Sequence, residues 1–95
     1  MSAYLVANTH ITDPGAYEEY RRRVAPLLAK FGGRFLVRGG DHTVLEGAWQ
    51  PSRLVVIEFP SMESLRSWYD SPEYAPLIAL RKRAAAGDLV AVEGV

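Results

Sequence analysis

The stretch that most constrains the fold is the apolar run Leu54–Phe59, whose sequence is LVVIEF. Its first four residues are apolar and three of them are β-branched, which is typical of a β-strand and too short for a helix. Because these residues do not alternate with polar ones, we expect both faces of the strand to be buried. A chain of 95 residues has few helices to offer as cover. If they lie on one side of the sheet, a second copy of the protein is the simplest cover for the other.

Length and charge bound the class of protein. Ninety-five residues correspond to a single domain over residues 1–95. A domain of this size buries only roughly 60–68% of the surface that its unfolded chain exposes, so its stability depends on good packing or on association. Eleven basic residues balance eleven acidic ones. We therefore expect neither nucleic acid nor an anionic membrane as a partner, and little repulsion between copies of the chain.

The sequence contains no cysteine. This excludes disulfides, zinc–thiolate sites, iron–sulfur clusters and a thiol nucleophile, and it fits a reducing cytoplasm. The chain does not open on a basic segment followed by an apolar one, so we expect no signal peptide. No apolar run approaches the ~20 residues that a membrane span needs. The expectation is a soluble cytoplasmic protein.

The patterns along the chain predict the element order β-α-β-β-α-β. Strands are predicted at Ala3–Ile11, at Arg34–Arg38, at residues 53–59 and at residues 89–93. After the first strand, Thr12 or Asp13 is predicted to cap a helix. Pro26 falls inside this helix and is expected to kink or restart it. The apolar stripe of the helix consists of Tyr17, Tyr20, Val24, Leu27, Leu28 and Phe31.

The second helical segment is predicted to be broken in two. Ser61 caps its first piece, which runs to about Tyr69. The sequence Ser71-Pro72-Glu73 then repeats the signal of a cap followed by proline. Pro76 is expected to delay the second piece by a turn, and Gly87 is expected to end it.

This element order indicates the α+β class and the ferredoxin-like split βαβ fold, with a four-stranded antiparallel sheet. Right-handed crossovers place both helical segments on the same face of the sheet. The opposite face would carry half of the apolar residues of three strands, which is an unusually large bare patch for a soluble monomer. Two such sheets packed face to face, about 10 Å apart, would bury it. We therefore predict a symmetric homodimer through the sheet face.

A series of short motifs, spread over nearly the whole chain, resembles the DUF1330 family of small bacterial proteins. The motifs are GGRFLVRGG at residues 32–40, LEG at 45–47 followed by Trp49 and Pro51, RLVVIEFPS at 53–61, WY at 68–69, SPEY at 71–74 and VEG at 92–94. The resemblance implies a ferredoxin-like subunit that pairs as a dimeric α/β barrel. It implies no reaction, because the family is named for its unknown function. Relatives in the superfamily include cofactor-free monooxygenases, muconolactone isomerase-like enzymes, haem-degrading enzymes and stress-responsive proteins.

Two residues are candidates for proton transfer. Glu58 interrupts an apolar strand, and a desolvated carboxylate there would have a raised pKa and act as a general acid or base. The alternative is a structural ion pair with Arg34, Arg38 or Arg53, which would lower the pKa of Glu58. His10, near the end of the first strand, is the second candidate, against a plain hydrogen-bonded role.

The second strand carries candidate substrate-binding residues. Arg34 and Arg38 are predicted to share one face, with Leu36 between them. Either arginine could hold a substrate carboxylate, or it could form an ordinary salt bridge. Gly39-Gly40 is interpreted as a bulge or bend, after which residues 43–46 continue the strand or form a short piece of their own.

Aromatic residues are the last candidate group. Trp68, Tyr69 and Tyr74 gather where the two helical pieces meet, and Tyr17 and Tyr20 project from the other helix. They are candidates for the walls of a cleft that takes a flat organic ligand, or else for ordinary core packing.

Metal and cofactor sites are not indicated. His42 has Asp41 and Glu46 nearby, but nothing in their spacing requires a metal ion, so we expect no metal and no cofactor. The glycine pairs do not form a phosphate loop. Trp49 lies in a turn and is a candidate anchor against a partner subunit.

Two functions remain open. The first is a metal-free enzyme acting on a small organic molecule in a cleft between sheet and helices. There Arg38 would orient the substrate, Glu58 or His10 would move a proton, and Trp68 and Tyr69 would form apolar walls. The second is a non-catalytic small-ligand-binding or stress-associated homodimer, in which the same polar residues only stabilise the sheet.

Overall fold

A computed structural model describes all 95 residues and confirms the predicted element order. The strands are β1 (Ala3–Ile11), β2 (Arg34–Arg38), β3 (Leu54–Phe59) and β4 (Ala85–Glu93), and the helices are α1 (Pro14–Lys30), α2 (Met62–Tyr69) and α3 (Ala75–Ala84). The strands form one antiparallel sheet in the order β2-β3-β1-β4. This is the α+β ferredoxin-like fold. No helix is both long and apolar enough to cross a bilayer.

Local signals determine where α1 and α2 begin. Asp13 caps α1, where its Oδ1 accepts a hydrogen bond from the backbone N–H of Ala16 at 3.2 Å. Ser61 caps α2 in the same way, with its Oγ 3.1 Å from the backbone nitrogen of Ser64. The predicted restart at Pro26 does not occur, because α1 runs through it to Lys30 as one helix.

The predicted break in the second helical segment lies at Ser71. Its Oγ donates to the carbonyl of Trp68 at 2.9 Å and accepts from the backbone N–H of Tyr74 at 3.2 Å, which holds a tight turn between α2 and α3. Helix α3 then begins at Ala75 with Pro76 in its first turn, as expected from the fixed φ of proline.

The predicted end of this segment at Gly87 is wrong. Helix α3 ends at Ala84, and β4 starts at Ala85 without a connecting loop, so Gly87 lies inside β4 opposite Thr9 of β1. The φ angle of Gly87 is +155°, and a Cβ atom there would overlap the backbone oxygen of Asn8. Glycine is therefore needed at this position for the close approach of two strands, not for helix termination.

The predicted continuation of β2 is also wrong. The strand ends at Arg38, and residues 43–46 belong to an exposed loop without strand structure. The irregularity in β2 lies at Leu36, where the register with β3 shifts between Phe35 and Val37, and not at Gly39-Gly40. A bulge inserts one residue and so reverses which face the following side chains occupy.

The prediction that Arg34 and Arg38 share a face is wrong, because the bulge lies between them. Arg34 lies opposite Glu58, whereas Arg38 lies opposite Val55. Because Val55 and Glu58 are an odd number of residues apart in β3, they point to opposite faces of the sheet. Arg38 therefore lies on the side that faces the helices, and Arg34 lies on the other side.

We call the side of the sheet that faces the helices the inner face, and the other side the outer face. The inner face packs on all three helices in one apolar core, to which β3 contributes Val55, Ile57 and Phe59. The outer face has no cover within the chain. Its centre is a line of valines across all four strands, which we call the valine row: Val37, Val56, Val6 and Val90.

Candidate ligand-binding site

A cavity opens between the inner face of the sheet and helices α1 and α3. Fifteen residues line it, and ten of them are hydrophobic. The empty space inside it measures ≈ 560 Å³, but this figure includes space that is open to the solvent. The part that the centres of water-sized molecules can occupy measures ≈ 50 Å³. The smaller figure is the one to compare with ligand pockets of about 300–1,000 Å³, and it lies well below that range, so the cavity has room for a small ligand only.

The apolar part of the wall follows from the periodicity of two elements. Alternate residues of β1 point inward, which brings Leu5 and Ala7 to the cavity. Helix α1 presents the stripe that the sequence predicts, and four of its members line the same space: Tyr17, Tyr20, Val24 and Leu28.

The charged part of the wall consists of arginines alone. Of the protein's eleven basic residues four line the cavity, whereas none of its eleven acidic residues does. They are Arg21 from α1, Arg38 from β2, Arg53 next to β3, and Arg81 from α3. Arg21 is paired with Glu18 at 3.3 Å, but the other three have no carboxylate within salt-bridge distance. A protein of zero net charge thus has a strongly cationic cavity.

Aromatic rings hold two of these guanidinium groups in place. Arg53 donates from Nη1 to the Tyr17 hydroxyl at 3.0 Å and lies over the Tyr17 ring, 5.4 Å from its centroid. Arg38 lies 4.9 Å from the centroid of the Phe35 ring. Gly39, with a φ angle of +73°, gives Arg53 its space, since a Cβ atom there would come within 2.5 Å of the Arg53 Nε atom. Cation–π contacts of this kind leave the N–H donors free for a ligand.

A buried hydroxyl pair lies beside Arg81. The hydroxyl oxygens of Tyr20 and Tyr74 are 2.8 Å apart. Burial raises the pKa of both phenols, and the positive charge of Arg81 only partly opposes that rise, so both groups are neutral. The Nε atom of Arg81 is itself buried and has no hydrogen-bond partner. This unmet donor is an unusual feature, because buried polar groups are rarely left unpaired.

The structure places Glu58 on the outer face, away from this cavity. Its Oε1 accepts from Nε of Arg34 at 2.7 Å, and its Oε2 accepts from the Tyr4 hydroxyl at 3.2 Å. The hydrogen bond from Arg34, helped by its charge and by Tyr4, lowers the pKa of Glu58 against an opposing effect of burial. Of the three arginines considered from sequence, Arg34 is the one that pairs with this carboxylate. A role of Glu58 in proton transfer stays a prediction.

We expect Glu58→Gln to lower the free energy of unfolding slightly at pH 7 and to have no effect in acid. The folded-state pKa of Glu58 lies below its ordinary value of about 4.5, so the ion pair with Arg34 stabilises the fold above that pH. The contribution is lost as pH falls through the lower, folded-state pKa. Urea unfolding at several pH values between 7 and 3 measures this, with Glu46→Gln, an exposed loop glutamate without an ion pair, as control. A loss of stability that is equal at every pH would contradict the ion-pair role.

Apart from Arg38, the other predicted site residues also lie outside the cavity. His10 is exposed at the far end of β1 on the outer face. Trp68 is buried in the core, with its ring centroid 5.4 Å from that of Phe59 and 4.2 Å from that of Tyr74. Tyr69 packs edge-on against Trp68 at 6.1 Å. Of the five residues predicted to bind substrate, only Arg38 lines the cavity. Tyr74 does not line it, but its hydroxyl is hydrogen-bonded to that of Tyr20, which does.

Sequence reasoning missed Arg21, Arg53 and Arg81 as residues that line the cavity. A signal for Arg81 exists, because it follows Leu77 by four residues and therefore lies on the apolar stripe of α3. Arg53 carries no such signal, since it precedes its strand and approaches Tyr17 only in the folded chain. No three His, Asp or Glu side chains converge in a way that would hold a metal ion.

Comparison with known proteins assigns the family. The family described as "Domain of unknown function (DUF1330)" matches residues 2–95, which is almost the entire chain. The chain belongs to the DUF1330 family. No curated protein matches this DUF1330 chain.

Solved structures show the same fold at low sequence identity. RPA0582, a protein of unknown function from Rhodopseudomonas palustris, has a TM-score of 0.77 and 18% identity over 99% of this chain and 82% of its own. SnoaB, a cofactor-independent oxygenase from Streptomyces nogalater, has a TM-score of 0.68 and 16% identity over 99% and 93%. A dimeric ferredoxin-like protein of unknown function from Thermobifida fusca YX has a TM-score of 0.60 and 22% identity over 97% and 88%. The DUF1330 chain therefore shares its fold with an oxygenase and with a dimeric protein.

Proposed function

We propose that this protein binds a small, largely apolar organic molecule in the cavity between the sheet and helices α1 and α3. The observation that carries the proposal is a concave site whose wall combines ten apolar residues with a few polar ones. This is the usual composition of a small-molecule site: apolar walls that supply affinity, and few polar groups that fix orientation.

Binding is favoured over acid–base catalysis by the kind of polar groups present. The titratable groups that line the cavity are arginines and tyrosines, with no carboxylate or imidazole among them. Arginine stays protonated in proteins, and burial keeps Tyr20 neutral, so these groups bind and polarise a ligand rather than exchange protons with it.

A metal-free enzyme acting on the same molecule is the second candidate. Arg38 lines the cavity and is placed to orient a substrate, and SnoaB, which shares the fold, is a cofactor-independent oxygenase. Because Glu58 and His10 lie on the outer face, a reaction here would depend on the guanidinium groups, which would stabilise a negative charge that develops on the substrate. Mass spectrometry of a bound compound before and after incubation in air would reveal turnover.

The protein is further proposed to act as a homodimer through the outer face. The valine row is the support for this, because Val90 is 58% exposed and Val37 is 40% exposed in the single chain. An apolar line across all four strands is well suited to face-to-face packing of two sheets. The dimeric protein from Thermobifida fusca shares this fold. Since the cavity lies on the other side of the sheet, dimerisation through the outer face would leave it open.

Filling the cavity tests the binding proposal. Ala7 lines the cavity from β1, so Ala7→Leu would occupy the space with a larger side chain, whereas Ala29→Leu changes an exposed position of α1. A panel of small carboxylic acids, amides and alcohols is screened by thermal shift. A ligand at a hundred times its dissociation constant stabilises by about 2.7 kcal/mol, which for a domain of this size is a rise in Tm of about 11–22 °C.

We expect this rise in wild type and in Ala29→Leu, and its loss in Ala7→Leu. Overpacking itself costs about 1–3 kcal/mol, so the melting point of each variant without ligand is its reference. An equal shift in all three proteins would place the ligand elsewhere. No shift with any compound of the panel would count against the cavity as a binding site.

A further inference from the structure

Building on the proposed function, we propose that the ligand is an organic carboxylate. Its carboxylate group would be bound by Arg38, Arg53 and Arg81, and its hydrocarbon part would fill the apolar space between α1 and the sheet. Three features of the cavity lead to this class of molecule: its charge, the unmet hydrogen-bond donor of Arg81, and the kind of donors that it presents.

The charge of the empty cavity is unbalanced. It contains four guanidinium groups and no carboxylate, and three of the four have no acidic partner anywhere in the protein. Like charges in a concave, mostly apolar site repel one another more strongly than they would in water, and the site attracts anions. A bound anion would supply the negative charge that the sequence does not place there.

The missing hydrogen bond of Arg81 also favours a bound anion. Its Nε–H is buried and has no acceptor, although the neutral hydroxyls of Tyr20 and Tyr74 lie beside this side chain. An unsatisfied donor on a charged group is costly, and a carboxylate oxygen would meet it with a charge-assisted hydrogen bond. Among the arginines that line the cavity, only Arg81 has a buried nitrogen without a hydrogen-bond partner.

A carboxylate fits these donors better than a phosphate does. Guanidinium groups present paired N–H donors that match the two oxygens of a carboxylate, and a monoanion is compatible with a wall that is two-thirds apolar. Phosphate sites commonly use the free backbone N–H groups of a helix start. The cavity does not meet the start of either helix. The first residue of α1 that lines it is Tyr17, one turn into the helix, and α3 contributes only Arg81, which lies in its last turn.

Matched acid and amide probes test the inference. Benzoate is compared with benzamide, and hexanoate with hexanamide, by NMR titration of the wild-type protein at pH 7 and low salt. Each pair has nearly the same shape and differs in charge. We expect the acids to bind about tenfold or more tightly than the amides, because hydrogen bonds to a charged group are roughly twice as strong as neutral ones. Added salt should weaken only the binding of the acids.

Substitution of single arginines tests whether the positive charge of the cavity is what binds the acids. Arg81→Gln and Arg38→Gln are each expected to weaken benzoate binding about tenfold and to leave benzamide binding nearly unchanged. Arg83→Gln and Arg22→Gln are the controls, because these exposed arginines of α3 and α1 do not line the cavity. If Arg81→Gln fails to fold, Arg38→Gln still decides the question, since Arg38 is exposed at the end of its strand.

The outcomes separate the two proposals. Equal binding of acids and amides, with both lost in Ala7→Leu, would overturn the carboxylate while supporting the cavity as a binding site. Tighter binding of phenyl phosphate than of benzoate, lost in Arg81→Gln, would assign a different anion and also overturn it. Absence of binding by any of these probes would contradict both proposals.

Discussion

Val56→Asp is expected to convert the proposed dimer into folded monomers at micromolar concentrations. Val56 lies in the middle of the valine row, between Val37 and Val6. In a symmetric interface each substitution occurs twice, so two carboxylates would be buried close together without partners. Burying one unpaired charge already costs several kcal/mol, and about 4 kcal/mol corresponds to roughly a thousandfold weaker association. Sedimentation velocity between about 1 and 100 μM measures the effect.

The neighbouring residue provides the matched control. Val55 points to the inner face and is 7% exposed within the core, so Val55→Asp is expected to unfold the chain rather than to separate two subunits. Far-UV circular dichroism distinguishes the two results. A Val56→Asp protein that sediments like wild type would show that the outer face is not the interface. A wild-type protein that is folded and monomeric would overturn the dimer itself.

Trp68→Ala is expected to remove a large part of the stability of the subunit. The side chain is 1% exposed and lies against Phe59, Tyr69 and Tyr74, so its truncation leaves a large void at the centre of the core. Truncation of a buried tryptophan to alanine typically costs about 3–5 kcal/mol, and small domains have only about 5–15 kcal/mol in total. Urea unfolding of wild type and variant gives the difference directly.

Trp68→Phe separates a packing role from a ligand-binding one. Phenylalanine keeps an aromatic ring in the core and removes the indole Nε1, which is buried without a hydrogen-bond partner. We therefore expect a much smaller loss of stability than in Trp68→Ala, and unchanged affinity for the ligand, because Trp68 does not line the cavity. A variant of normal stability that loses ligand affinity would instead support Trp68 as part of the binding site.

Residue pattern alone predicts the element order, because the signals involved act over a few residues. Asp13 and Ser61 satisfy the free N–H groups of the helices that follow them, and Ser71 and Pro76 break the second helical segment. The alternating burial along β1 is local in the same sense, because successive side chains of a strand must point in opposite directions.

Local signals of this kind do not determine the register between paired strands. The bulge at Leu36 is a property of how β2 pairs with β3, and it moves Arg34 and Arg38 to opposite faces of the sheet. Gly87 marks a close approach to Asn8 of β1, yet its position after a helical pattern makes it look like a helix end. Both features depend on a partner strand that is distant along the chain, so the sequence around them carries no sign of it.

The sequence by itself thus determined the ferredoxin-like order of elements, their caps and breaks, and a sheet with an apolar outer side. Only the tertiary structure decided which arginine pairs with Glu58, and that Arg38, Arg53 and Arg81 come from three separate parts of the chain to one cavity. Caps and alternation depend on sterics and hydrogen bonds between near neighbours in the chain. The shared cavity depends on long-range packing of sheet against helices, which brings together residues that have no relation in sequence.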